Sequence, residues 1–283
     1  MPAGVTLDGA GYSIIAQNWN SENQYHIIGV SETDADTITT IQNLTIAGNA
    51  NTKSGIRAYK GVGTVAISGL TIMDCGNAAV QVNGSIVTAE NLTTSGNAWG
   101  AVNVDKGSNV TTETSFTLSG NENSLSEPVK VWTELTDEEA IITVPESWAQ
   151  VSGSGSNAYA PAEALTENVV YNESTKTYYQ SLELAVKQAQ ADDVLAVYPG
   201  NYNIQQDNAT TVEGQTGWYL PIDKSLTIKG VDADGNEITD ASATAANIYS
   251  TDYSANGAWA TQNLITVLDD DVIISGLTIM NKV

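Results

Sequence analysis

Apolar residues recur along this chain with a period of two, in short runs that return at nearly constant intervals. The triplet apolar-Thr-apolar stands at Leu44-Thr45-Ile46, Leu70-Thr71-Ile72 and Phe116-Thr117-Leu118, with a weaker copy at Leu92-Thr93-Thr94, giving steps of 26, 22 and 24 residues. Each copy runs into Gly-Asn, at 48–49, 76–77, 96–97 and 120–121, residue types that accept left-handed backbone at a tight bend. A second alternating segment follows the first three bends, at Ile56-Arg57-Ala58, Val80-Gln81-Val82 and Val102-Asn103-Val104. Alternation sends the apolar members to one face of a strand and the polar members to the other. Short strands, bends and a repeat of about two dozen residues predict an all-β coil that stacks like on like, a parallel β-helix. An antiparallel sandwich shares the short strands and polar turns. It has no reason to place Asn at the same corner of every turn, whereas stacked coils link such amides into a ladder.

Beyond Gly120 the pattern fades, and SGSGSNAYAPAEALTEN (152–168) has the small, polar composition of a linker. Leu182, Ala185, Val186 and Ala189 then sit at helical spacing behind a potential N-cap, Ser181, which predicts a short amphipathic helix. Strand signals resume at Val194–Val197 and Leu226-Thr227-Ile228, separated by a Pro199-Gly200-Asn201 bend. The string ISGLTIM occupies 67–73 and again 274–280, 207 residues apart, too far for a small repeat, so it belongs to a larger unit that is itself repeated. GVTLDGAG (4–11) aligns with SLTIKGVD (225–232), and IQNLTI (41–46) with ISGLTI (274–279). The expected organisation is a β-helix module lacking its N-terminal cap over 1–150, a linker over 151–168, and the cap and first coils of a second module over 169–283. On this reading the chain is a piece of a tandem array.

Composition narrows the function classes. A hydrophobic content of 41% over 283 residues supports a sizeable core. Acidic residues outnumber basic ones 33 to 10, for a net charge of −23, which repels nucleic acid, anionic membranes and polyanionic sugars. The single cysteine, Cys75, excludes an internal disulfide and reads as a small buried hydrophobe. No stretch approaches the ~20 apolar residues of a membrane span, so no membrane insertion is expected.

The run YYQSLELAVKQAQADDVLAVYPGNY resembles the N-terminal cap of the pectin-lyase-like superfamily, where a short helix plugs the first coil ahead of a strand and a Pro-Gly-x-Tyr turn. The triplets and Gly-Asn corners resemble that superfamily's right-handed coils over 4–127 and 169–283, while 128–168 do not match. The resemblance implies a right-handed parallel β-helix, a solenoid of two tandem modules with a capping α-helix at the start of the second. Enzymes of the superfamily place catalytic groups on outward positions of one sheet; here the outward row is Arg57, Gln81 and Asn103, without a carboxylate. Its polygalacturonate hydrolases use an aspartate cluster with a helping histidine, whereas the only histidine, His26, lies in a loop-like segment. Its lyases use calcium and an Arg or Lys base, for which Arg57, the single arginine, is the candidate, weighed against an ordinary surface role. No catalytic residue is therefore assigned. Asp232, Asp234 and Asn236 in VDADGNEITD open like a calcium loop, but the closing ligand spacing is missing and Asp234-Gly235 reads as a hairpin turn. No cofactor is expected, with Ca²⁺ at these residues as the one candidate.

Six Trp and twelve Tyr stand against one Phe, a bias toward rings that suit half-exposed contact positions. The insertions following the first coil strands of both modules are aromatic, which makes Trp19, Tyr25, Tyr249, Tyr253 and Trp259 the candidate ligand-binding residues. The alternative is that these rings seal the side of the coil; Trp99, Trp132, Trp148 and Trp218 are read as packing. The function expected is a non-catalytic binding or adhesion segment of a large bacterial surface or secreted protein, resembling adhesin-like members of the superfamily. Its expected partner is a host glycan, mucin, or a secreted host protein such as immunoglobulin, and its location extracellular or at the cell surface. The alternatives are a polysaccharide lyase or hydrolase and a ligand-free stalk.

Overall fold

Three ten-residue strands, Ile38–Ala47, Thr64–Met73 and Ile86–Ser95, carry the alternation, and each is bent in its middle. They belong to a computed structural model that describes residues 1–17, 19–20, 25–31, 34, 36–107, 110, 112–120, 122–136, 139–153, 155–204, 210–212, 215–218, 220–239, 246–251 and 264–280. The chain divides into two compact units, Met1–Trp148 with Gly155–Ala160, and Ala149–Ser154 with Pro161–Val283.

In chain order the first strands are β1 (Thr6–Asp8), β2 (Ser13–Ile15), β3 (Ile28–Ser31), β4 (Ile38–Ala47), β5 (Ile56–Tyr59), β6 (Thr64–Met73) and β7 (Val80–Asn83). They continue as β8 (Ile86–Ser95), β9 (Val102–Asp105), β10 (Thr114–Ser119), β11 (Ser124–Leu125), β12 (Val131–Thr133) and β13 (Ala140–Thr143). The chain alternates between two parallel stacks, β1-β4-β6-β8-β10-β13 and β3-β5-β7-β9-β12. β2 and β11 pair with the second halves of β4 and β8. Register explains the core: Ile41↔Ile67↔Ala89, Leu44↔Leu70↔Leu92 and Ile46↔Ile72↔Thr94 are level, and all nine residues are buried. Full burial of each Ile or Leu contributes roughly 1.5–3 kcal/mol.

The bend within each long strand has a local cause. Between Ile41 and Leu44 two successive residues, Gln42 and Asn43, avoid the core, which a straight strand forbids. Asn43 at φ 53° breaks the alternation, and Gly69 (φ 60°) and Asn91 (φ 51°) do the same in β6 and β8. Among the described residues the expected amide ladder at the Gly-Asn corners does not form. Ala47, Met73 and Ser95 are level, so two residues further on stand Asn49, Cys75 and Asn97, with a thiol in the middle place. The Gly-Asn pairs step by 28 and 20 residues while the strands step by 26 and 22, and this slip of two carries Asn77 past the row. Asn97 instead reaches across to the neighbouring strand, accepting from Cys75 N (3.0 Å) and donating to the Ile72 carbonyl (3.1 Å). Cys75 is buried, and burial first, then Asp74, pushes its thiol up to about 12.

The stretch expected as a linker carries the end of β14 (Trp148–Ser152), all of β15 (Asn157–Pro161) and a 3₁₀ turn at Ala162–Ala164. β15 pairs antiparallel with β12. In the second unit follow β16 (Val170–Asn172), β17 (Thr177–Tyr179), α1 (Leu182–Gln188), β18 (Asp193–Val197), β19 (Gly200–Asn203), β20 (Thr210–Val212), β21 (Gln215–Trp218) and β22 (Leu220–Ile222). The last are β23 (Leu226–Gly230), β24 (Ala246–Tyr249), β25 (Ile265–Val267), β26 (Ile273–Ser275) and β27 (Leu277–Ile279). The Ser181 hydroxyl accepts from Leu184 N at 3.1 Å to start α1, which buries Leu182, Ala185 and Val186 against the second core. Three parallel stacks recur in the same order along the chain: β18-β23-β26, β19-β24-β27 and β22-β25.

Both ISGLTIM copies have the same local structure. The second is bent at Gly276 (φ 63°) as the first is at Gly69. Its pairs Ile228↔Ile274 and Ile248↔Ile279 are the counterparts of Leu7↔Ile41 and Ile14↔Ile46. Ile72 lies between two strands and is fully buried, whereas Ile279 pairs on one side and is 57% exposed. Among the described residues the protein is all-β apart from α1 and the 3₁₀ turn, with long parallel sheets compatible with a β-helix.

Candidate functional site

The β3-β5-β7-β9-β12 stack turns two rows of side chains away from the core. One is Gly29, Arg57, Gln81, Asn103 and Trp132; the other is Ser31, Tyr59, Asn83 and Asp105. Arg57, Gln81 and Asn103 are thus neighbours in register, as the alternation predicts, and no carboxylate shares their row. Arg57 is held firmly. Its guanidinium lies over the Tyr59 ring, 4.3 Å from the centroid, and its Nε donates to Asn83 Oδ1 at 3.1 Å. The nearest acidic group in register, Asp105, accepts from the Lys106 amide at 2.6 Å.

The loop before β3 is attached to the turn before β5 through its backbone. Asn51 Nδ2 donates to the Trp19 carbonyl (3.1 Å), Lys53 N to the Tyr25 carbonyl (3.0 Å) and Ile27 N to the Ser54 carbonyl (3.0 Å). These bonds hold Trp19 and Tyr25 edge to face, with ring centroids 6.3 Å apart and planes at 84°, a favoured geometry for two quadrupoles. Tyr25 is 62% exposed. His26 faces the same turn, its Nδ1 accepting from Ser54 N at 3.3 Å. Burial, then the charges of Arg57 and Lys53, pushes its pKa down to about 4, so the ring is neutral at physiological pH. The loop thus carries one exposed and one half-buried ring next to His26, and the row beside it adds the held Arg57 guanidinium and the Gln81 amide, Asn103 being buried. Such a mix of apolar and polar groups suits a polar ligand.

The other sequence-predicted residues are dispersed. Tyr249 ends β24 in the second unit and is half-buried; Tyr253 and Trp259 lie outside the described residues. The Asp232 carboxylate closes its own turn, accepting from Asp234 N (3.0 Å), Asn236 N (2.8 Å) and Asn236 Nδ2 (3.1 Å), with Gly235 at φ 83°. The Asn236 amide and then these backbone donors hold Asp232 below the usual carboxylate range. Among the described residues no three His, Cys, Asp or Glu side chains form a metal-binding group. Trp99, expected to pack, is 49% exposed, and its carbonyl accepts from Trp132 Nε1 at 2.7 Å; Trp148 does pack against the first core.

One aromatic cluster went unread in the sequence. Tyr171 and Tyr178 are level in the β16–β17 hairpin, their rings 4.6 Å apart, with Lys176 Nζ 5.9 Å from the Tyr171 centroid. Burial, then the neighbouring phenols, pushes the Tyr178 hydroxyl up; burial, then Tyr171, does the same to Tyr198. Tyr171 before the ESTK turn and Tyr178-Tyr179 after it were the available signal. Compared with known proteins, the chain matches no family model, no curated protein and no solved structure.

Proposed function

We propose that this chain is a non-catalytic binding segment of a bacterial surface or secreted protein, built on a right-handed parallel β-helix of the pectin-lyase-like kind, acting outside the cell on a host glycan or protein. The observation that carries the reading is the edge-to-face pair of half-buried Trp19 and exposed Tyr25 in the loop whose His26 feels the Arg57 charge, with the Gln81 amide next to Arg57 in register and no carboxylate in that row. Rings of this kind supply large contact area at low entropic cost, and amides supply adaptable hydrogen bonds. A lyase or hydrolase needs a second titrating group within hydrogen-bond reach of the reacting bond, and Arg57 is instead engaged with Tyr59 and Asn83. Immobilised protein exposed to mixed host glycans and secreted proteins is expected to retain a ligand that a Trp19→Ala, Tyr25→Ala variant with an unchanged circular-dichroism spectrum releases. Equal retention by both proteins removes the aromatic loop from the function, and retention by neither leaves a structural stalk.

A further inference from the structure

The cationic side chains of the first unit are segregated. Lys53 lies in the turn before β5, Arg57 within it, Lys60 directly after it, Lys106 directly after β9 and Lys130 directly before β12. No other lysine or arginine occurs among the first 148 residues. In the other stack of the unit the rows Thr40, Ala66 and Thr88 and Thr45, Thr71 and Thr93 are uncharged, and the row Asp8, Gln42, Ser68 and Glu90 has a carboxylate at each end. The positive charge of the unit therefore gathers around the β3-β5-β7-β9-β12 stack, where Asp105 and Glu134 also stand, and the loop that carries Trp19 and Tyr25 is bonded to the turn that holds Lys53.

Two of the cations act on one spot, because the fields of both Arg57 and Lys53 reach the His26 ring. Stacking on Tyr59 and the bond from Nε to Asn83 set the plane of the guanidinium. Among the described residues the fork of terminal amino groups has no other bond, and its geometry pairs with a carboxylate through two parallel bonds. The net charge of −23 opposes approach of a polyanion. It acts weakly on a single carboxylate at contact, since screening confines distant charges to about 8 Å at physiological salt. Gln81, next to Arg57 in register, adds an amide, and the two rings add apolar faces. A sugar presents the matching pair of surfaces, an apolar C–H face and a hydroxyl edge.

We infer that this face reads the terminal carboxylated sugar of an otherwise uncharged glycan. Arg57 holds the carboxylate, Lys53 supplies a second positive charge, and Trp19 and Tyr25 take the adjoining ring. The inference rests on the binding function proposed above and narrows it to one ligand class. His26, the only histidine in the chain, serves as a resident reporter, because a bound carboxylate offsets the two charges that oppose its protonation.

The test is a titration of the full chain with 3′-sialyllactose, lactose and sodium acetate, followed by NMR of the His26 ring. 3′-Sialyllactose is expected to bind and to raise the His26 pKa from about 4, with lactose and acetate each weaker by roughly tenfold or more. Arg57→Gln is expected to weaken 3′-sialyllactose roughly ten- to a hundredfold with the other amide signals in place, and Arg57→Lys to recover only part of the loss. Lactose binding as tightly as 3′-sialyllactose overturns the carboxylate reading while leaving a glycan-binding loop. Acetate binding as tightly overturns the sugar requirement. No response to either sugar overturns the inference outright, and the retention experiment with the Trp19→Ala, Tyr25→Ala variant decides separately whether the binding function survives.

Discussion

At the scale of the residue, His26 links surface electrostatics to stability. In the folded chain its Nδ1 accepts from Ser54 N, and protonation both removes that acceptor and adds a charge beside Arg57 and Lys53. The unfolded chain takes up the proton near pH 6.5, the folded chain only near pH 4. The contribution of the neutral ring is therefore complete above pH 6.5 and lost as pH falls toward about 4. The gap in urea-unfolding midpoint between wild type and His26→Gln is expected to narrow over that window. The outward placement of Arg57, Gln81 and Asn103 was legible from alternation alone. The partners of buried polar groups were not. Glu127, 3% exposed, accepts from Thr94 Oγ1 and Asn97 Nδ2 at 2.5 Å each, partners 33 and 30 residues away, and nothing local in NENSLSEPV announces a buried carboxylate.

At the scale of the element, the left-handed bend in each long strand is the most exacting local feature. Asn43, Gly69 and Asn91 occupy equivalent places in β4, β6 and β8. A Cβ at Gly69 meets the Asn43 side-chain oxygen at 3.2 Å, a group able to move aside, and the Asn43 backbone nitrogen at an ordinary 3.8 Å. Gly69→Asn is expected to change stability by no more than about 0.5 kcal/mol. Gly69→Val, β-branched at positive φ, is expected to cost about 1–2 kcal/mol in denaturant unfolding. The polar pairs Gln42-Asn43, Ser68-Gly69 and Glu90-Asn91 were visible in the sequence, but period-two reading treats such a pair as a gap between strands. The helix α1 was legible because cap and apolar spacing are both local. The Gly-Asn corners misled for the opposite reason, since their alignment depends on register, which the strand steps set and the corner residues do not.

At the scale of the whole molecule, charge and repetition dominate. Thirty-three acidic against ten basic residues make self-repulsion a standing cost to the folded state. Raising ionic strength from about 0.01 M to about 0.15 M shortens the screening length from about 30 Å to about 8 Å, so the thermal midpoint is expected to rise over that range in calorimetry. The recurrence of equivalent strings was legible, and the two ISGLTIM copies share one bend and pair in parallel with equivalent strands. How the parallel strands wind was not legible, because a period of two reports which face a side chain takes and neither the sense of winding nor what touches that face.

The two ISGLTIM strings share one bend and one pairing geometry, so each is chemically acceptable beside the strand that belongs to the other. On the ribosome, β6 emerges and pairs with β4 before residue 274 has been made, and order of synthesis removes the competition. A chain diluted from denaturant presents both copies at once. Fidelity then depends on kinetics, with loop closure favouring the nearer copy only modestly, and the direction of translation becomes part of the information that specifies the native pairing.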